Sequence, residues 1–153
     1  MMPILELQNV SAKYGDFQAL FDISLKLEPG EVISVIGANG AGKSSLLKTI
    51  AGNLRISSGD IKYKGESLGN SSAYKRVASG ISMVPEGRRI FSSLTVEENL
   101  KVGGYSKRPG PWNISSICEL FPILEDRWTR KGIHCSGGEL QDRKSTRLNS
   151  SHT

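Results

Sequence analysis

The amino-acid sequence predicts an α/β protein, and three observations support that fold class. Residues 32–37 read VISVIG, a nearly continuous apolar and β-branched run that is typical of a strand covered on both faces of a parallel sheet. A glycine-rich segment follows, and beyond it apolar residues recur at helical spacing, at Leu46, Leu47, Ile50 and Leu54. Elsewhere, apolar and polar residues alternate with the period of two that strands show. The chain therefore combines strands and helices in a mixed order.

Length and composition exclude several other classes of protein. The 153 residues allow one ordinary domain or part of one. A content of 37% hydrophobic and 23% charged residues is typical of a soluble globular chain rather than of a disordered or fibrous one. No apolar run approaches the roughly 18 to 20 residues that cross a bilayer, and the first ten residues lack the apolar core of a signal peptide. We therefore expect a cytoplasmic chain.

The distribution of charged and reactive side chains excludes further functions. Of the net charge of +5, residues 142–153 carry +2, from three basic residues and one acidic residue. The other basic residues are scattered singly or in pairs without interleaved aromatic residues, so we expect no nucleic acid partner. Cys118 and Cys135 are too few for a disulfide scaffold and are interpreted as free thiols. His134 and His152 have no arrangement for metal binding or nucleophilic catalysis.

Two strand patterns flank the buried run and the helix. Residues 21–27 alternate apolar and polar side chains, with Phe21 on the dry face, which predicts a half-buried antiparallel strand. A Pro29-Gly30 turn ends it. The helix that carries Leu46 is expected to stop near Gly52. Residues 61–64 alternate in the same way and predict another strand of the edge type.

The second half of the chain reads mainly as helices. A short helix is predicted over 72–79, followed by a small apolar strand over 81–84. Residues 95–98 have the form of a capping box, so a helix is predicted to begin at Thr95 and to end at Gly103-Gly104. A further helix is predicted over 114–120. Its inner side is expected to carry Ile117, Leu120 and Phe121.

The most specific motif is GANGAGKS, which fits G-x-x-x-x-G-K-[ST] and stands between the predicted buried strand and the helical pattern. Gly37, Gly40 and Gly42 let backbone amides approach phosphate oxygens, and the helix that begins near Lys43 adds its positive end. Lys43 is expected to neutralise the terminal phosphates, and the Ser44 hydroxyl is the expected Mg²⁺ ligand. The alternative is a glycine-rich turn with a surface lysine. The predicted nucleotide-binding positions are Gly37, Ala38, Asn39, Gly40, Ala41, Gly42, Lys43, Ser44 and Ser45.

A second motif indicates the family. The glycine-rich motif predicts that the chain binds a nucleotide, but it does not distinguish among the many functions of nucleotide-binding proteins. Residues 135–139 read CSGGE, which resembles the signature of the ATP-binding subunits of ABC transporters, a leucine followed by SGGE. Cys135 departs from this pattern. The matching signature residues are Ser136, Gly137, Gly138 and Glu139. The resemblance implies that they complete the ATP site of a second ATP-binding subunit in a homo- or heterodimer. Standing alone, they also fit a capping box.

Tyr14 adds to the resemblance. It lies in KYGDFQAL between the first two strands, where this family places an aromatic ring that stacks on adenine. The alternative is a turn tyrosine that packs on the sheet.

Residues 84–100, VPEGRRIFSSLTVEENL, resemble the subunits that energise branched-chain amino-acid import. Most relatives carry glutamine at the position of Glu86, whereas this group carries glutamate. The resemblance implies that Glu86 reaches Mg²⁺ or its water, so Lys43 and Glu86 are the candidates for a catalytic role. Arg88 and Arg89 fit the protein surface or a partner better than a phosphate. The alternative for the whole stretch is a solvated charged loop before a capped helix.

The resemblance covers residues 3–141 and implies an incomplete ABC-type nucleotide-binding domain of the P-loop NTPase class. Its parts are an antiparallel edge subdomain, part of the parallel core, and the start of the helical subdomain from Thr95. Residues 1–141 are therefore interpreted as a truncated ATP-binding domain and 142–153 as a non-native polar tail. Residues 142–152 look like a translated sequencing-library adapter. The family places the carboxylate that polarises the attacking water further on, so we expect this chain not to turn over ATP.

The function implied by the resemblance is ATP binding, and ATP hydrolysis in the intact protein, to power import of branched-chain amino acids. The implied cofactors are ATP and Mg²⁺. The implied partners are a second ATP-binding subunit and membrane-spanning permease subunits, which would hold the protein at the inner face of the plasma membrane. Two alternatives stay open, a non-transport ABC ATPase of translation or repair and a non-functional nucleotide-binding fragment.

Overall fold

The computed structural model describes residues 2–87, 89–105 and 110–134. These residues fall into two compact units that divide after Val84. The first unit contains the strands β1 (Leu5–Tyr14), β2 (Phe17–Leu27), β3 (Ile56–Tyr63) and β4 (Glu66–Ser67), and the helices α1 (Lys43–Ile50) and α2 (Ala73–Ser79). The second unit contains the helices α3 (Val96–Gly103), α4 (Ile114–Leu120) and α5 (Ile123–Asp126), and the 3₁₀ turn Gly132–His134.

The strands of the first unit form a four-stranded antiparallel sheet in the order β2-β1-β3-β4. This confirms the predicted antiparallel strand over 21–27. Residues 61–63 of the predicted strand 61–64 are part of β3, which ends before Lys64. β3 is not an edge strand, because it pairs with β1 on one side and with the two-residue β4 on the other. Ile61 is fully buried at this inner position.

One face of the sheet forms the hydrophobic core of the first unit. Apolar side chains of the three long strands pack there with residues of α1 and of the segment that follows it. Burying such side chains stabilises the fold by about 1.5–3 kcal/mol each. The buried members of this cluster are Leu5, Leu7, Val10, Ala12, Leu20, Leu46, Leu54 and Ile61.

The pairing of β1 and β2 shifts register at three places, and two of these shifts are bulges that contain Asn9 and Asp22. Asn9 on β1 and Asp22 on β2 both have φ of 50°, in the left-handed region that Asn and Asp tolerate. A serine of the opposite strand accepts a hydrogen bond from each displaced amide, Ser24 Oγ from Asn9 at 2.9 Å and Ser11 Oγ from Asp22 at 3.0 Å. The two bulges are therefore stabilised in the same way from opposite strands.

The bulge at Asp22 reverses the predicted orientation of Phe21. Val10 pairs with Ile23 and Ala12 pairs with Leu20, so two residues of β2 lie opposite one residue of β1. The extra residue shifts the alternation by one position. Leu20 is consequently buried and Phe21 is exposed, so the prediction that Phe21 lies on the dry face was wrong.

The two predicted apolar strands over 32–37 and 81–84 are absent from the structure. No strand is assigned to either segment, and Val32 and Ile36 are 90% and 93% exposed. Val84 is equally exposed. A strand forms only where its backbone groups pair with a neighbour, and none of the described residues pairs with these segments. The apolar, β-branched composition of these segments favours a strand, but composition does not determine whether a neighbouring strand pairs with them.

The helix predictions were mostly right. Ser72 caps α2, and Gly52 with φ of 80° follows α1. Thr95 and Glu98 form the predicted capping box, in which Glu98 Oε2 accepts from the Thr95 amide at 2.8 Å and Thr95 Oγ1 accepts from the Glu98 amide at 3.2 Å. This helix ends at Gly103 as predicted.

The last predicted helix, α4, has the predicted bounds but not the predicted inner side. Cys118 is its buried residue, Ile117 is partly buried, and Leu120 and Phe121 are exposed. In a helix of only seven residues, the apolar spacing is compatible with more than one buried face. Packing against neighbouring segments of the same chain decides which face is buried.

Candidate functional site

The candidate site is the loop that leads into α1, and its backbone depends on glycine. Gly40 and Gly42 have φ of 87° and 88°, a conformation that residues with a side chain rarely adopt. The Ala41 amide donates to the Ala38 carbonyl at 3.1 Å, which closes a tight turn. The loop therefore takes a compact path over residues 37–42.

Gly42 also brings the loop close to the sheet. A Cβ on Gly42 would lie 2.9 Å from the Ala19 carbonyl oxygen and 3.2 Å from Leu20 Cδ2, so only glycine fits against β2 here. Around Gly40, by contrast, a Cβ would meet nothing within 4 Å. Gly40 shapes the turn, and Gly42 in addition positions the start of α1 against the sheet.

The N-terminus of α1 has the features of an anion-binding site. Gly42 is its N-cap and offers no side-chain acceptor to the first amides of the helix. The first N–H groups of a helix have no intrahelical partners and carry about half a positive charge together. Such an end, preceded by a glycine-rich loop, favours phosphate.

Lys43, the first residue of α1, folds back over this loop. Its Nζ donates to the carbonyl oxygens of Gly37 and Ala38, both at 2.7 Å. A lysine ammonium has three N–H donors, so these bonds fix the position of the charge and use two of them. The cation therefore lies at the loop and not in bulk solvent.

The remaining residues of the predicted nucleotide-binding segment lie on the loop or on the first turn of α1. Asn39 and Ser44 are exposed. The Ser45 carbonyl accepts a hydrogen bond from the buried Thr49 hydroxyl at 2.7 Å, which braces the helix from within. The nine predicted positions, 37–45, are consecutive in the sequence, and the structure places them on the loop before α1 and on its first turn.

Tyr14, the predicted adenine-stacking residue, belongs to the same unit. It ends β1, the residue is 43% exposed, and the Lys48 ammonium of α1 lies 6.0 Å from the centre of its ring. This is the outer limit of a cation–π contact. The ring thus lies beside the helix that carries Lys43 and remains partly accessible.

The other predicted site residues lie in the second unit or outside the described residues. Glu86 is exposed and belongs to the second unit. Arg89 is also exposed, and Arg88 lies outside the described residues. The signature residues Ser136, Gly137, Gly138 and Glu139, with Cys135, also lie outside the described residues, as does the polar tail 142–153.

The donor set at the loop is compatible with Mg²⁺ bound through phosphates. No group of three or more His, Cys, Asp or Glu side chains that could hold a metal occurs within residues 2–87, 89–105 and 110–134. Mg²⁺ that bridges phosphate oxygens keeps several waters and needs only one or two protein oxygens. The Ser44 hydroxyl, next to Lys43 in α1, offers an oxygen of that chemical type.

Arg76 was missed by the sequence reasoning. It is only 1% exposed, and burial lowers the pKa of its guanidinium from the ordinary value of arginine. Its partners are main-chain carbonyls of α1 and of the segment before α2, together with the Ser71 hydroxyl. In the run AYKRVAS, the pattern does not distinguish buried Arg76 from exposed Lys75.

In the described part of the chain, no helix has the length and apolar character needed to span a membrane. The longest of these helices, α1 and α3, have eight residues.

Comparison with known proteins adds relatives in membrane transport. A high-affinity branched-chain amino acid transport ATP-binding protein, BraG of Pseudomonas aeruginosa, is 44% identical over 140 residues, which are 90% of this chain and 60% of that protein. A probable branched-chain amino acid transport ATP-binding protein, LivF of Archaeoglobus fulgidus, is 34% identical over the same length, which is 59% of that protein. The chain thus spans about 60% of the length of these curated relatives.

The fold and the family model agree with these relatives. A solved ATP-binding cassette of an ABC transporter in its ADP conformation superposes with a TM-score of 0.64 at 27% identity, over 90% of this chain and 61% of that one. The family model described as ABC transporter matches residues 20–148, which is most of the chain. This chain therefore belongs to the ABC transporter family of ATP-binding proteins, with the P-loop NTPase fold.

Proposed function

We propose that this chain binds ATP with Mg²⁺ at residues 37–45. The observation that supports this most directly is the joint geometry of the loop and α1. Two glycines in the left-handed region lead into a helix N-terminus, and the ammonium of Lys43 is held over the same loop by two hydrogen bonds of 2.7 Å. The backbone amides, the N-terminal end of α1 and the Lys43 ammonium all present positive charge at this loop, which favours binding of a triphosphate.

The roles of the individual residues follow from this geometry. The amides of the loop bind phosphate oxygens, and Lys43 exchanges carbonyl contacts for contacts to the terminal phosphates. Ser44 supplies an oxygen to Mg²⁺, which neutralises phosphate charge when it is bound. Tyr14 offers the accessible face of its ring to adenine. Glu86 senses the metal or its water, and the signature residues 136–139 complete the ATP site of a second subunit.

We further propose that the whole protein hydrolyses ATP to power import of branched-chain amino acids. The 44% identity to a transport ATP-binding protein of that kind supports this substrate class. Such a subunit works with a second ATP-binding subunit and with membrane-spanning permease subunits, at the inner face of the membrane. The transported molecule touches the permease and not this chain, so the residues at the loop do not select it.

Titration of the full chain with labelled ATP and Mg²⁺ tests the nucleotide site. We expect Lys43→Ala to abolish binding, because it removes the cation that lies at the loop from a site that holds several negative charges. Lys75→Ala is the matched control, since Lys75 is an exposed lysine of the same unit on α2. Equal ATP affinity for the parent chain and for Lys43→Ala would refute the assignment of residues 37–45.

A further inference from the structure

Arg76 is a buried cation whose hydrogen-bond partners are all neutral oxygens. Its Nη1 donates to the carbonyls of Thr49 at 2.7 Å and Ile50 at 2.8 Å. Its Nη2 donates to the Gly69 carbonyl at 2.7 Å, and its Nε to Ser71 Oγ at 3.2 Å. The guanidinium thus joins the end of α1 to residues 69–71.

These contacts lie at the opposite end of α1 from the candidate nucleotide site. Thr49 and Ile50 are the last two residues of α1, whose final carbonyls have no partners within the helix and carry partial negative charge. A helix of eight residues is only about 12 Å long. Because so short a helix moves as a rigid body, a displacement of its C-terminal end also displaces its N-terminal end. Arg76 therefore holds the same rigid element that carries Lys43.

The surrounding chain packs closely on the Arg76 side chain. A Cβ on Gly52 would lie 3.0 Å from Arg76 Cδ and Nε, which shows how closely the backbone after α1 packs on the side chain. The main-chain carbonyl of Arg76 accepts from the amides of Gly80 at 3.0 Å and Ile81 at 2.8 Å. The Ser79 hydroxyl donates to it as well, at 2.9 Å. Both the side chain and the backbone of this residue are thus fixed.

We propose that Arg76 is a positioning residue of the nucleotide site, which sets the place of α1 and thereby the fit of its N-terminal end to the phosphates of ATP. This inference rests on the proposed function. Burying a charge without a carboxylate partner is costly, and hydrogen bonds to three carbonyls and one hydroxyl offset that cost here. A planar fork of five donors holds several carbonyls at fixed relative positions, which lysine cannot do.

The test compares Arg76→Lys with the control Lys75→Met, an exposed neighbour on the same helix, in the full chain. Two readouts are used, the ligand-free amide resonances of Gly40 and Gly42, and the affinities for Mg-ATP and for inorganic triphosphate. We expect Arg76→Lys to move both resonances and to weaken both ligands equally, by about tenfold. Lys75→Met is expected to change neither.

If Arg76→Lys is less stable but keeps the parental resonances and affinities, the role is purely structural and the inference is refuted. If this variant does not fold, Ser71→Ala, which removes only the Nε partner, is expected to weaken both ligands by about threefold, and an unchanged folded Ser71→Ala protein refutes the inference. If the parent chain binds no ATP, the proposed function fails, and the ligand-free resonances still decide whether Arg76 positions α1.

Discussion

Alanine at Gly42 is expected to cost much more stability than alanine at Gly40, although the two glycines share nearly the same backbone angles. Both have φ close to 88°, so each substitution places a side chain in the left-handed region, at a cost of about 1–2 kcal/mol. The surroundings differ, since a Cβ at Gly42 lies 2.9 Å from the Ala19 carbonyl oxygen and one at Gly40 meets nothing within 4 Å. Gly40→Ala is therefore the matched control.

The additional cost at Gly42 comes from overpacking against backbone. The Ala19 carbonyl belongs to β2 and cannot turn aside as a flexible side chain does. Overpacking of this kind costs about 1–3 kcal/mol. We expect Gly42→Ala to lose about 2–5 kcal/mol in total, against about 1–2 kcal/mol for Gly40→Ala.

Amide hydrogen exchange of β1 and β3 measures this free energy of unfolding in the first unit. The two tryptophans, Trp112 and Trp128, both lie in the second unit and do not report on it. Equal losses of protection in Gly42→Ala and Gly40→Ala would refute the reasoning, because the close contact with Ala19 would then carry no cost.

Two further predictions concern other parts of the first unit. Tyr14→Ala is expected to weaken ATP by about 1–3 kcal/mol, the range of base stacking, and to leave inorganic triphosphate unaffected in the same titration; equal losses for both ligands would remove Tyr14 from the adenine site. The pKa of Glu6 lies below its ordinary value because the Gln8 side chain and then Lys26, at 3.0 Å, stabilise the carboxylate. Its contribution to stability is therefore present above the unfolded pKa and lost as pH falls through the lower folded pKa. Glu6→Gln should reduce the loss of stability over this pH range in acid unfolding followed by circular dichroism. An unchanged curve would contradict a stabilising role of the Glu6 carboxylate.

Local chemistry made part of the fold predictable from the sequence. The capping box of Thr95 and Glu98 needs only residues three positions apart, and α3 begins where that pair predicts. The glycine-rich loop and the start of α1 at Lys43 are specified in the same local way. These features do not depend on distant partners.

Features that depend on distant partners were not predictable. The apolar run over 32–37 is suited to a buried strand, yet pairing with a neighbour decides whether that strand forms. Burial of Arg76 depends on carbonyls 26 and 27 positions earlier in the chain. The exposure of Phe21 follows from a bulge that depends on the pairing with β1. The roles of Glu86 and of residues 136–139 stay predictions.

The bulge at Asn9 has a consequence for how the sheet selects a single strand alignment. Its displaced backbone is contacted from both sides, by Ser24 Oγ on β2 and by Gly59 on β3, where a Cβ would lie 2.3 Å from the Asn9 carbonyl oxygen. Gly59 is the only glycine of β3, so sliding β3 by two residues would bring a side chain into this contact. An alignment slipped by two residues therefore places a side chain against the Asn9 backbone, and this clash disfavours it relative to the observed register.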